Sequence, residues 1–127
     1  MAEPLSIEAR RILDDYQAGT LSLVAPDLIN AEFGNIVWKK RTFQGLGADD
    51  AKALIDGFRK LEIAFTPTAE LLGDAYDLAI AHRRTVYDSL YLALSLREGC
   101  RFVTADERLV NAVSSVLPTA VWLANWP

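Results

Sequence analysis

An α/β fold, with a mostly parallel sheet between two helical layers (α/β/α), is predicted by two features of the chain. Short apolar stretches alternate with helix-length segments from residue 6 to the end, and strands separated by helices of that length pair in parallel. The helical segments repeat apolar residues at three- and four-residue spacing, which gives each helix a face to bury against such a sheet. Ligands of folds built this way sit outside the carboxyl ends of the strands.

Ser6 to Ala18 predicts a helix, because Ile7, Ile12, Leu13 and Tyr16 recur near helical spacing and Gly19 suits the C-terminal cap. "TLSLVAP" (20–26) predicts a short strand closed by Pro26. Asp27 predicts the N-cap of a second helix through about Lys40, anchored by Leu28, Ile29, Ile36 and Val37. After "GLGADD", a third helix follows from the spacing of Ala51, Leu54, Ile55, Phe58 and Leu61. "EIAFTP" (62–67) reads as a second strand, and a fourth helix carrying Leu71, Leu72, Ala75, Leu78 and Ala79 runs to about Arg83. A fifth helix ends at Gly99, and the strand "RFVTA" (101–105) comes next. A short helix from Asp106 and a last strand "TAVWLA" (119–124) complete the series.

The 127 residues suit one domain, and the chain shows no repeat, low-complexity tract or linker. A net charge of −4 excludes a globally basic nucleic-acid binder, so contact with phosphate requires a local patch or a bound metal. Cys100, the single cysteine, has no partner for an internal disulfide. No apolar run approaches the roughly 20 residues of a membrane span, and no signal-peptide pattern opens the chain, so a cytoplasmic location is expected.

Three acids stand out. Asp88 precedes a run of leucines and alanines, and Thr85-Val86-Tyr87-Asp88 has capping-box spacing, so capping is the simpler account of it taken alone. Asp106 follows a strand and opens a helix, which an ordinary N-cap also explains, although the carboxyl end of a strand is where such a sheet binds ligands. Glu32 lies one turn after Leu28 and one turn before Ile36, which predicts an inward carboxylate on the apolar stripe of its helix. An unpartnered charge in a core costs several kcal/mol, and a hard cation shared among carboxylates would remove that cost.

The three stretches that hold these acids resemble, in order, the PIN domain family and within it the VapC-type ribonuclease toxins. "LVAPDLINAEFGNIVWKK" resembles the strand–helix segment with the family's Glu, here Glu32. "TVYDSLYLALSLREGC" resembles the helix carrying its next acid, here Asp88. "RFVTADERL" resembles the strand that ends in a Thr-x-Asp turn, here Thr104 and Asp106. The likeness runs from about Glu3 to the C-terminus. One feature departs from it: the family opens with an apolar strand bearing an early Asp, whereas "MAEPLSIEARR" leads through Pro4 into a helix. The first strand of a PIN-like sheet is therefore expected to be missing, through a start downstream of the true N-terminus, a truncation or a variant site.

The resemblance implies a metal-dependent endoribonuclease acting on single-stranded or structured RNA. It implies that Glu32, Asp88 and Asp106 converge on one or two Mg²⁺ or Mn²⁺ ions, with the Thr104 hydroxyl orienting a carboxylate or water behind them. It further implies a homodimer and a VapB-type antitoxin as partner. The rival expectation is a catalytically impaired module that binds an antitoxin or itself. A phosphoacceptor domain, suggested by Asp14-Asp15, is disfavoured because that pair lies in a helical pattern and the last strand has no lysine. His82, Arg83 and Arg84 are expected in a last helical turn, where cations complement the helix dipole. Lys39, Lys40 and Arg41 form the densest basic cluster, read as a solvated helix end that could meet phosphate. Trp38, Trp122 and Trp126 are expected in the core or an interface.

Overall fold

A computed structural model describes residues 6–115 and 117–126; Glu3, Pro4 and the rest of the opening five residues lie outside it. The elements are α1 (Ser6–Gln17), β1 (Val24–Pro26), α2 (Leu28–Phe43), α3 (Ala48–Lys60), β2 (Ala64–Thr66) and α4 (Thr68–His82). Then come α5 (Val86–Glu98), β3 (Phe102–Thr104), α6 (Glu107–Val113), β4 (Ala120–Trp122) and a closing 3₁₀ turn (Leu123–Asn125). The order of helices and strands is the predicted one, and both strand pairings are parallel. The chain divides into two compact units, one spanning Val24–Thr68 and the other formed by the residues before and after it.

In the Val24–Thr68 unit, β1 and β2 pair with Val24 opposite Ala64, Ala25 opposite Phe65 and Pro26 opposite Thr66. Between them in sequence lie α2 and α3, joined by a stacked pair of rings, Phe33 on Phe58, with centroids 4.3 Å apart. Asp27 does not cap its own helix as predicted. Its backbone is helical (φ −63°, ψ −15°), whereas a capping side chain needs an extended residue to turn back over the first turn. The carboxylate instead accepts the Thr68 N–H at 2.9 Å, while the Asp27 N–H donates to the Thr66 carbonyl at 2.9 Å. One acid thus ties the start of α2 to the start of α4.

In the other unit, α5 is the central helix. Thr85 Oγ1 accepts the Asp88 N–H at 3.1 Å at its start, and Gly99 closes it at φ +63°. Ser89, Leu90, Leu92, Ala93, Leu94 and Ser95 are all buried along it. Leu92 joins Leu109, Val113 and Leu117 in a core that Leu78, Phe102 and Ala120 extend. Each such buried leucine or valine stabilises the fold by about 1.5–3 kcal/mol. Against this core β3 and β4 pair with Phe102 opposite Ala120, Val103 opposite Val121 and Thr104 opposite Trp122.

The four strands pair in parallel as β1–β2 and β3–β4, as expected of an α/β fold, and no further strand occurs among the described residues. Two expectations are corrected here. The strands are three residues long, shorter than predicted. Thr20 is drawn into the end of α1 by bonds from its N–H and Oγ1 to the Asp15 carbonyl, at 3.0 and 2.9 Å. Glu62 takes φ +53°, outside the extended region that strand residues occupy. Finally, α4 stops at His82, because Arg83 also adopts φ +53° and the Arg84 N–H bonds back to the Ala79 carbonyl at 3.1 Å.

Candidate active site

Thr104 ends β3, and two residues later Asp106 starts α6, so both stand at the carboxyl end of a parallel strand. Thr104 Oγ1 accepts the Asp106 N–H at 3.1 Å, and Asp106 Oδ1 accepts the Leu109 N–H at 3.2 Å. Asp106 is thus the N-cap that its sequence suggests, with an extended backbone (φ −92°, ψ 97°). Thr104 positions Asp106 through the main chain, not through its carboxylate. Only Oδ1 is committed to the cap, which leaves Oδ2 as the donor available to a ligand.

Asp88 is half-buried in the first turn of α5. Only one half of the capping box forms: Thr85 caps the Asp88 N–H, and no hydrogen bond from Thr85 to the Asp88 carboxylate occurs among the described residues. Capping therefore accounts for the backbone of Asp88 and leaves its carboxylate without a structural task. Beside it, Ser89 is fully buried and its Oγ has no hydrogen-bond partner among the described residues. Arg84 Nε, just before the helix, is likewise buried and unpartnered there. Buried polar atoms are nearly always satisfied, so both stand out near an uncommitted carboxylate. Only the Ser89 hydroxyl, however, has an oxygen to offer a cation; the Arg84 guanidinium is itself a cation and donor only. Neither stands out in the sequence: a serine is ordinary in a first helical turn, and Arg84 reads there as a cation at a helix end.

Glu32 departs from expectation. It is exposed, and the packed line of α2 is Ile29, Phe33 and Val37, one residue round the helix from Leu28, Glu32 and Ile36. Phe33 fixes that choice by stacking on Phe58 of α3. Burial therefore does not oblige Glu32 to find a cation, and its role rests on the resemblance. It belongs to the Val24–Thr68 unit, whereas Asp88, Thr104 and Asp106 belong to the other.

The donors are all carboxylate and hydroxyl oxygens, the chemistry that hard divalent cations prefer. The uncommitted Asp88 carboxylate and the orphaned Ser89 hydroxyl fit such an ion. Within either unit, however, no three His, Cys, Asp or Glu side chains form a metal-holding group among the described residues.

The PIN domain family profile matches residues 2–113, through both units. This chain belongs to the PIN domain family. Among similar proteins, Ribonuclease VapC3 of Pyrobaculum aerophilum is 34% identical over 113 residues, covering 86% of this chain and 82% of that protein. Ribonuclease VapC9 of Mycobacterium tuberculosis and a VapC ribonuclease of Mycobacterium bovis are each 28% identical over 114 residues, covering 87% of this chain and 88% of theirs. PIN membership accounts for the α/β alternation and for parallel pairing throughout. Among the described residues, no helix of this PIN chain is long and apolar enough to cross a membrane.

Proposed function

We propose that the chain is a metal-dependent endoribonuclease of the toxin–antitoxin type, cutting single-stranded or structured RNA and working as one domain in the cytoplasm. The ribonuclease names of its relatives, matched along most of both chains, carry this reading. They favour it over a binding module without catalysis. A homodimer and a VapB-type antitoxin belong to the same proposal.

Glu32, Asp88 and Asp106 are the proposed ligands of Mg²⁺ or Mn²⁺. An ion held by these residues would supply Lewis acidity: it would lower the pKa of a water, so that the hydroxide left by proton loss could attack phosphorus, and it would offset charge on the scissile phosphate. The protein's contribution is placement. Thr104 fixes the start of α6, the Leu109 N–H holds one oxygen of Asp106, and the other oxygen remains for the ion. Thr85 sets the first turn of α5 without occupying the Asp88 carboxylate. No histidine or cysteine is needed as base or nucleophile.

Incubation of the full chain with a labelled single-stranded RNA in Mn²⁺, with and without excess EDTA, tests the reading. Cleavage that disappears with EDTA and with Asp88→Asn is expected. Cleavage that persists in EDTA, or is equal in the variant, would overturn it.

A further inference from the structure

The segment Trp38-Lys39-Lys40-Arg41-Thr42-Phe43, the last turns of α2, takes no part in the site above. Trp38, expected in a core or interface, is 53% exposed and Phe43 is 73% exposed. The other two tryptophans behave differently: Trp126 is buried under the Arg101 guanidinium, 4.2 Å from its ring, and Trp122 is half-buried. Trp38 and Phe43 meet edge to face, centroids 5.6 Å apart at 87°, so the two exposed rings form one preassembled aromatic surface. Helical spacing sets Arg41 one turn from Trp38 and Lys39 one turn from Phe43, which places a cation beside each ring. The Arg41 guanidinium is anchored on the Leu46 carbonyl at 3.3 Å.

Cations at a helix C-terminus are explained by its dipole, but the dipole gives no reason for two exposed rings beside them. Rings and arginine also suit a protein interface, but lysine is depleted from the cores of such interfaces, and Lys39 and Lys40 both lie in this segment. Single-stranded nucleic acid uses both features at once, rings to stack on bases and cations to meet phosphates. The charge is also of the complementary sign, in a chain whose net charge is −4.

We propose that the C-terminal end of α2 is a holding surface for single-stranded RNA, with Trp38 and Phe43 stacking on bases and Lys39 and Arg41 meeting phosphates. The choice of RNA over other single strands rests on the ribonuclease reading. The test is binding of a fluorescein-labelled twelve-residue oligouridine to the full chain in EDTA, where metal-dependent cleavage cannot obscure affinity. Trp38→Ala should weaken binding roughly tenfold, and Trp38→Phe should restore most of it. The double variant Lys39→Gln/Arg41→Gln should flatten the slope of log affinity against log salt by about 1.4, at roughly 0.7 per lost phosphate contact on a single strand. All these side chains are exposed, so circular dichroism and thermal unfolding should match the unaltered chain.

Unchanged affinity and salt slope in Trp38→Ala and the double variant would overturn the proposal, as would no binding by the unaltered chain. A change in molecular mass by light scattering, with RNA affinity intact, would overturn it in favour of a second copy on this face. Cleavage in Mn²⁺ is scored separately. Loss of cleavage with the stacking effect intact refutes the nuclease, and intact cleavage with no stacking effect refutes this surface.

Discussion

Asp106 caps α6 and is a proposed cation ligand, and the two roles can be separated by substitution. Its Oδ1 caps α6 through the Leu109 N–H, and its charge is the proposed hold on the cation. Asparagine is as good an N-cap as aspartate, so Asp106→Asn should keep the cap and lose the charge. The expected result is urea unfolding within about 0.5 kcal/mol of the unaltered chain, alongside RNA cleavage reduced roughly a hundredfold or more. Equal cleavage would remove Asp106 from the site; a fall in stability of about 1 kcal/mol or more would show that the cap had been damaged as well. The cap was legible in the sequence because it depends on residues three apart. The uncommitted carboxylate of Asp88 was not legible, since the capping-box spacing does not reveal that only one of its two bonds forms. Glu32 misled for a related reason. Two adjacent lines of α2 both carry apolar residues, and only the Phe33–Phe58 stack decides which one packs.

Among the elements, α5 was read most accurately, because both of its ends are set by local chemistry. Thr85 opens it with a side-chain cap, and Gly99 closes it in the left-handed conformation. A Cβ added at Gly99 would meet nothing within 4 Å, so any penalty there comes from the backbone alone. Gly99→Ala should therefore destabilise the chain by about 1 kcal/mol in thermal or chemical unfolding, and Gly99→Asn by less. Equal stability of the alanine variant would contradict the left-handed cap. The strands were harder to bound. Their apolar residues were recognised, but Thr20 is held by the Asp15 carbonyl and Glu62 turns left-handed, and neither event leaves a mark in apolar periodicity. Asp27 shows the same limit over a longer range, because its partner Thr68 lies 41 residues away.

At the scale of the whole molecule, the helix–strand order and parallel pairing were legible in the alternation of apolar segments. Which strands pair with which was not, because pairing depends on contacts distant in sequence. The proposed homodimer would cover strand edges by self-association. Light scattering at micromolar concentration should give twice the 14.0 kDa chain mass, and a monomer would count against the homodimer. The central claim is that the Asp88 carboxylate does chemistry while Thr85 does the capping. It is tested most directly by single-turnover cleavage of a single-stranded RNA in Mn²⁺, with unfolding measured in parallel, for Asp88→Asn and Thr85→Ala. The prediction is a double dissociation. Asp88→Asn should lose roughly a hundredfold or more in rate with little change in stability. Thr85→Ala should lose about 1 kcal/mol of stability and, at a temperature where it is folded, keep its rate within a few-fold. Wild-type cleavage by Asp88→Asn would contradict the account and leave Asp88 as an ordinary first-turn acid.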